Sequence, residues 1–419
     1  MKQGDYFKKS NCRICESESL KRVVELTPTP PGNNFLKKEE IGNEEREYPL
    51  ELYFCRDCYH IQLGHVVDPS FLFQNNYTYV SGTSSVFVEH LKNYADYVVN
   101  LFNIKPNSLI VDIGSNDGTC LKHFKDLGMN VLGIDPAEEI TKIASSRGIE
   151  TINDFFSESL ARDIVKDYGK AKLITSHNAC AHIDDLGGVI AGVEALLDDD
   201  GIFIMEVGYF VDVFENKWFD TIYHEHLDYH TVNPLDKLFH RFNMELFRVE
   251  RVSPQGGSIR VMSQKKSGPH TKDTSVNKLI SLEKELGLTQ SKTLHNFEHQ
   301  INQVRDAFIE LISNLKKEGK SIAAFGAATK ATTLIFHFQI EKEDIDFIVD
   351  ENPLKQNVYS PGKHIPVYSA EKIYDEKPDF LVILAWNFAE AIMKNHKKYS
   401  DLGGSFILPM PDPKIVRNQ

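Results

Sequence analysis

Three groups of residues in this chain are of types and spacings that could do chemistry. Four cysteines stand as two pairs, Cys12-Arg13-Ile14-Cys15 and Cys55-Arg56-Asp57-Cys58, while Cys120 and Cys180 stand alone. Two C-x-x-C knuckles supply four soft thiolates, the donor set that tetrahedral zinc prefers. Such a site is closed to water and substrate, so Cys12, Cys15, Cys55 and Cys58 are expected to hold a structural Zn2+. Unpaired thiols or redox pairs are the competing explanation. The second group is the loop Val111-Asp112-Ile113-Gly114-Ser115-Asn116-Asp117-Gly118, followed downstream by Gly133-Ile134-Asp135-Pro136. Its glycines permit a tight turn and close approach of backbone to a ligand at a strand end. A carboxylate at the next strand end, Asp135, is placed to accept from ribose hydroxyls. The third group is Tyr223-His224-Glu225-His226.

The loop is not G-x-G-x-x-G, which argues against a dinucleotide. D-x-G-x-x-x-G with a ribose acid suits S-adenosylmethionine, which has no phosphate to cradle. An ordinary glycine turn in an unrelated α/β domain is the plainer explanation. The expected cofactor contacts are Asp112, Gly114, Asn116, Asp117, Gly118 and Asp135, joined by Asn178 at a later strand end. Asp154-Phe155-Phe156 sits where a third strand should end, so Asp154 and Phe155 could meet the adenine, although the aromatics could equally be core. His224, His226 and His230 could form a metal site, but their spacing is not H-E-x-x-H; core-satisfied or solvated histidines are the alternative. His182 follows a strand, where ligands gather in open sheets, and it could also be a loop histidine without a role.

These residues need elements to position them. Residues 1 to about 72 read as short strands and turns around the cysteines, with Leu52-Tyr53-Phe54 leading into Cys55 and a loop at Pro28, Pro30, Pro31 and Gly32. Phe87, Leu91, Tyr94 and Val98 recur at helical spacing. Short apolar runs at 109–111, 131–134, 173–174 and 202–205 alternate with helical stretches, the rhythm of a parallel sheet covered by helices. After a long amphipathic stretch from Phe297 to Leu315 the rhythm restarts at 322–325, 345–349, 380–384 and 406–408, which predicts a second α/β sheet. Asp and Glu total 60 against 47 Lys and Arg, a balance that argues against coating nucleic acid. No run of about 18 apolar residues predicts a membrane span. No apolar signal segment is visible in residues 1–10, and reduced thiols holding zinc fit the cytoplasm.

The chain resembles the sugar C-methyltransferases that methylate C3 of nucleotide-linked 4-keto-deoxysugars. The resemblance spans nearly the whole chain. It is carried by both C-x-x-C pairs, Tyr77-Thr78-Tyr79, the 113–118 loop, Asn178-Ala179-Cys180-Ala181-His182-Ile183, Tyr223-His224-Glu225-His226 and Gly256-Gly257-Ser258-Ile259-Arg260. It continues through Gly326-Ala327-Ala328-Thr329-Lys330, the 349–356 segment, the 361–366 segment and Trp386-Asn387. The resemblance implies an α/β protein of three parts: an N-terminal zinc-binding module at 1–72, a Rossmann-like class I methyltransferase sheet at 73–245, and a C-terminal α/β domain at 246–419. It assigns the base to His226 and places Tyr223, Glu225, His182 and a tyrosine of the 77–79 segment in the site, Tyr77 being preferred for catalysis. Tyr79 and His224 are then expected to touch substrate.

In the C-terminal part, Gly326-Ala327-Ala328-Thr329-Lys330 follows a strand and precedes a helix, so Lys330 could meet a pyrophosphate; a packed turn with a solvated lysine is the alternative. Asn352 and Lys355 occupy another loop after a strand. The expectation is therefore a cytoplasmic, monomeric enzyme using S-adenosylmethionine on a dTDP- or GDP-linked keto-deoxysugar, with no nucleic-acid or membrane partner. Its alternatives are O- or N-methylation of another small molecule, and a zinc-ribbon binding or scaffold protein without catalysis.

Overall fold

The computed structural model describes residues 6–74 and 80–417. The N-terminal module is an antiparallel sheet of Leu20–Thr29, Tyr48–Cys55, Ile61–Leu63 and Asp228–Tyr229 in spatial order, beside a ribbon pairing Tyr6–Lys8 with His65–Val67. Along Tyr48–Cys55 every second residue is buried, placing Tyr48, Leu50, Leu52 and Phe54 on the core face. The strand Asp228–Tyr229 comes from far along the chain, only just past His226, and pairs antiparallel with Ile61–Leu63. The module and the third chemical group therefore share one sheet.

The central sheet has seven strands in the order Met244–Val252, Ser258–Lys265, Leu197–Gly208, Ala171–His177, Leu109–Ile113, Asn130–Ile134, Thr151–Ile152. The last five of these are mutually parallel, and Ser258–Lys265 runs antiparallel to both of its neighbours. This is the expected Rossmann-like sheet. It extends to Lys265, past residue 245 where its domain was expected to end, because the last two strands form a hairpin that hydrogen-bonds to Leu197–Gly208. Successive strand residues enter different cores: Val111, Ile113 and Ile174 on one face, Ile110, Leu173 and Ile202 on the other. Burial on both faces is why these strands read as continuous apolar runs. The predicted helix forms as Ser85–Phe102, its first turn capped by the Ser84 side chain, with Phe87, Leu91, Tyr94 and Val98 buried.

The C-terminal sheet also has seven strands, five of them parallel, with antiparallel edge strands at Val358–Tyr359 and Lys414–Val416. The amphipathic stretch is the helix Ser291–Lys317, which buries Phe297, Ile301, Val304, Phe308, Ile312 and Leu315. It lies against Leu20–Thr29, where Glu298 accepts from the Glu25 amide at 2.8 Å. Its buried face, the N-terminal strands and one face of each large sheet form one continuous core. Among the described residues no helix is long and apolar enough to cross a membrane.

Candidate active site

The two knuckles fold alike. In each, the amide just past the second cysteine donates to the carbonyl of the first, Glu16 to Cys12 and Tyr59 to Cys55, both at 2.9 Å. Glu16 and Tyr59 each take a left-handed φ, 65° and 72°. The four sulfurs lie within 4.8 Å of one another, with Cys12–Cys58 at 3.4 Å and Cys15–Cys55 at 3.5 Å. Zinc–sulfur bonds of about 2.3 Å in a tetrahedron imply sulfur–sulfur edges of about 3.8 Å, so the set fits zinc. It does not fit disulfides, and all six cysteines are free. The predicted ligands Cys12, Cys15, Cys55 and Cys58 are brought together as expected.

The glycine loop stands where the strand order reverses, between Leu109–Ile113 and Ala171–His177, the crevice in which open α/β sheets bind ligands. Gly114 and Gly118 take φ of 73° and 76°. A Cβ on Gly114 would lie 2.4 Å from that of Ala179, so only glycine lets the two loops meet. Asp135 accepts from the amides of Asn116 and Ala137, each at 2.9 Å, and keeps lone pairs for a ligand. Buried polar atoms without hydrogen-bond partners collect here: Asp112 Oδ1, Ser115 Oγ and both ring nitrogens of His177. Unpaired buried polar atoms around a glycine turn and a strand-end carboxylate fit a polar cofactor such as S-adenosylmethionine.

Other predicted cofactor residues have different occupations. Asn116 Oδ1 accepts from the Ser81 amide at 2.8 Å and Asp117 Oδ2 from the Gly82 amide at 3.2 Å. Asp117 is wholly buried and also bound by Thr119 and Arg147, so its side chain anchors the 81–83 turn to the loop instead of facing a ligand. Phe155 is exposed, whereas Phe156 is core against Gly192. Asp154 is exposed, and its carboxylate is occupied by the Phe155 amide at 2.7 Å. Asn178 takes a left-handed φ of 62° and starts the turn Ala179–Ala181 that ends at His182.

That turn carries the chain from the cofactor loop to the third group. The His182 ring lies 5.0 Å from that of His226, edge to face. His226 Nδ1 is 2.9 Å from the Thr221 carbonyl and Nε2 is 2.9 Å from Tyr223 Oη. A carbonyl only accepts, so the network assigns the proton to Nδ1 and leaves the Nε2 lone pair toward the tyrosine hydroxyl. Burial first, then the neighbouring His182, push the His226 imidazole down to about 3, and burial pushes His182 down to about 4. Both rings are therefore neutral at ordinary pH. The neighbouring Glu225 carboxylate is not the partner of His226; the Thr221 carbonyl holds its Nδ1.

Glu225 turns instead to a seam between the three parts of the chain. Its Oε1 accepts from Asn33 Nδ2 at 2.7 Å, and Asn33 Oδ1 accepts from Thr329 Oγ1 at 2.7 Å. Burial pushes the carboxyl up to about 7, against the opposing pull of Asn33 and Lys355. Gly32 makes the approach possible, since a Cβ there would lie 2.4 Å from the Thr329 carbonyl oxygen. Asn33 was missed in the sequence, where Pro30-Pro31-Gly32 reads only as a turn.

The structure does not bring His224 to this cluster. It is 1% exposed, packed on Tyr48 of the N-terminal sheet with Nε2 3.2 Å from the Tyr48 carbonyl. His230 points elsewhere too, toward the Cys180 carbonyl at 3.4 Å. The histidines therefore do not converge as a metal site. Lys330 is not a solvated lysine: it lies 3.8 Å from the centre of the Trp386 ring and 3.9 Å from buried Asp220, which also accepts from Trp386 Nε1 at 2.6 Å. Trp386 in turn stacks on Trp218 at 4.6 Å. Lys355 donates to the Ala327 carbonyl at 2.7 Å, and the Asn352 side chain caps the short turn Pro353–Lys355. Tyr77 and Tyr79 lie outside the described residues.

Three family models match the chain in order: a zinc binding domain over residues 12–73, a methyltransferase domain over 86–249, and a C-methyltransferase C-terminal domain over 253–411. The chain is 33% identical over 405 residues to the C-methyltransferase NovU of Streptomyces niveus, covering 97% of this chain and 96% of that one. Among solved structures, the PH0226 protein of Pyrococcus horikoshii is similar at a TM-score of 0.37 and 14% identity, over 45% of this chain and 95% of that one. An S-adenosylmethionine-dependent methyltransferase of Clostridium acetobutylicum is similar at 0.35 and 13%, over 42% and 92%. The near full-length relative and the ordered zinc-binding, methyltransferase and C-terminal matches set aside the non-catalytic scaffold, and the chain belongs to the S-adenosylmethionine-dependent C-methyltransferase family.

Proposed function

We propose that this C-methyltransferase deprotonates and methylates C3 of a nucleotide-linked 4-keto-6-deoxy sugar, carried on dTDP or GDP. The observation that carries the reading is the His226–Tyr223 pair, 2.9 Å apart and continuous with the cofactor crevice through the His182 turn. The sugar nucleotide would lie in the seam where Asn33, Glu225, Thr329 and Lys355 meet. Because one chain supplies residues from all three parts, a monomer suffices, and reduced thiols suit the cytoplasm.

When bound, S-adenosylmethionine supplies an electrophilic methyl group, held by the residues around Gly114, Asp135 and Asn178. The His226 Nε2 lone pair takes the proton from C3, and the C–H electron pair passes into an enolate. Nδ1 stays bonded to the Thr221 carbonyl and holds the ring in place. The Tyr223 hydroxyl, relieved of Nε2, donates to the enolate oxygen. A ring held neutral by burial is always ready to accept a proton, and the imidazolium forms only opposite the negative charge that its own action creates. C3 would then take the methyl group, the enolate pair forming the carbon–carbon bond as the methyl–sulfur bond breaks, with S-adenosylhomocysteine leaving and the abstracted proton held on Nε2. A second reading gives proton removal to Glu225, because its carboxyl, pushed up to about 7, is better matched to neutral pH.

Deuterium exchange at C3 in the absence of methyl donor tests the proposal, since O- or N-methylation requires no such exchange. His226→Asn should abolish exchange and lower methyl transfer by about 10²–10⁴-fold, while Glu225→Gln should retain exchange. The opposite pattern would give the base role to Glu225, and undiminished exchange in both variants would refute the site.

A further inference from the structure

The zinc knuckle reaches the active site through one side chain. Arg13 stands between the metal ligands Cys12 and Cys15, and its side chain is fully buried. Its amide donates to Gln62 Oε1 at 2.9 Å. Its Nη1 donates to the carbonyls of Leu63 at 2.8 Å and Leu227 at 3.3 Å. Its Nε donates to Asp184 Oδ1 at 2.8 Å, while Lys9 holds the other oxygen of Asp184 at 2.8 Å. Leu227 adjoins His226, and Asp184 lies just past His182. The Leu227 amide closes the arrangement by donating to the Ala181 carbonyl at 2.7 Å, immediately before His182. One guanidinium thus grips the backbone beside one ring and the loop beside the other, and those rings are 5.0 Å apart.

Burying an arginine carries a desolvation cost that its partners must offset, and a planar fork serving several acceptors at fixed angles is what lysine cannot reproduce. The backbone of Arg13 is in turn fixed by the knuckle, whose conformation the metal would lock. We propose that Arg13 is a positioning residue for methyl transfer: through Asp184 and the Leu227 carbonyl, it lets the zinc module set the spacing of His182 and His226. The module is then part of the catalytic apparatus and not a spectator. This inference rests on the reading of His226 as a site residue.

The test uses full-length, zinc-loaded Arg13→Gln, Arg13→Lys and Asp184→Asn. Zinc content and calorimetric affinity for S-adenosylmethionine should be unchanged. The kcat should fall by about 100-fold with little change in KM, as expected for displaced catalytic groups, and Arg13→Lys should not restore it. In nitrogen-15 spectra of the histidine side chains, the His182 and His226 signals should move, while His396 in the C-terminal domain stays in place. Should the arginine variants fail to fold, Asp184→Asn, whose side chain is partly exposed, decides alone. Wild-type imidazole signals or full kcat in Asp184→Asn would overturn the proposal. The spectra need no sugar, so an error in the substrate would leave that arm intact, whereas a failed clamp would show with any substrate.

Discussion

Replacing Asn33 with alanine removes the amide that donates to Glu225 Oε1 at 2.7 Å. Glu225 is only 6% exposed, so little solvent is at hand to replace that donor. A hydrogen bond to a charged group is worth about 1.5–3 kcal/mol, and about 1.4 kcal/mol corresponds to one pH unit. The Glu225 carboxyl, already held near 7 by burial, should therefore titrate about one to two pH units higher in Asn33→Ala. The assay is direct titration of the Glu225 carboxyl by carbon-13 NMR of glutamate-labelled protein, with the inflection near neutrality moving upward in the variant. The sign for stability follows from the same displacement. A carboxyl raised above its ordinary 4.5 favours the folded state most below 4.5, and that contribution is lost as pH climbs through about 7. In the variant the loss should extend to higher pH in urea titrations. An inflection that does not move would refute the coupling through Asn33.

Gly32→Ala places a Cβ 2.4 Å from the Thr329 carbonyl oxygen and forces the seam open by about 1 Å, so turnover should fall by about 100-fold with cofactor affinity retained in calorimetry. Stripping zinc with a chelator should unfold the N-terminal module, seen as a lower Tm and loss of protection in hydrogen exchange over Leu20–Thr29 and Tyr48–Cys55. Burial pushes His182, His224 and His230 down to about 4 and His226 down to about 3. Their contribution to stability is present above the ordinary 6.5 and lost as pH falls toward 4, so the urea midpoint should drop across that window, with zinc content followed in parallel because acid also weakens thiolate binding.

Much of this protein is written in local pattern. The C-x-x-C pairs name their metal because ligand type and count decide zinc chemistry before any fold exists. Apolar runs bounded by turns mark parallel strands because burial on both faces demands them. The glycines of the 114–118 loop announce a tight turn because few other residues accept its backbone angles. The assignment of His226, Tyr223 and His182 to one cluster came from family resemblance, and the geometry places their side chains together.

What local pattern could not supply is partnership across the chain. Nothing in the sequence near Asn33 marks it as a partner of Glu225, since 192 residues separate them. Asp117 looks like a cofactor ligand in its loop, yet packing turns it to the Gly82 amide and Arg147. Lys330 reads as a free charge until Trp386 and Asp220 close around it. His224 and His226 differ by two positions, but one faces the N-terminal sheet and the other the site. Hydrogen bonds and desolvation depend on distance in space, so residue type fixes what a group can do, while the packing of three parts on one core fixes which group does it.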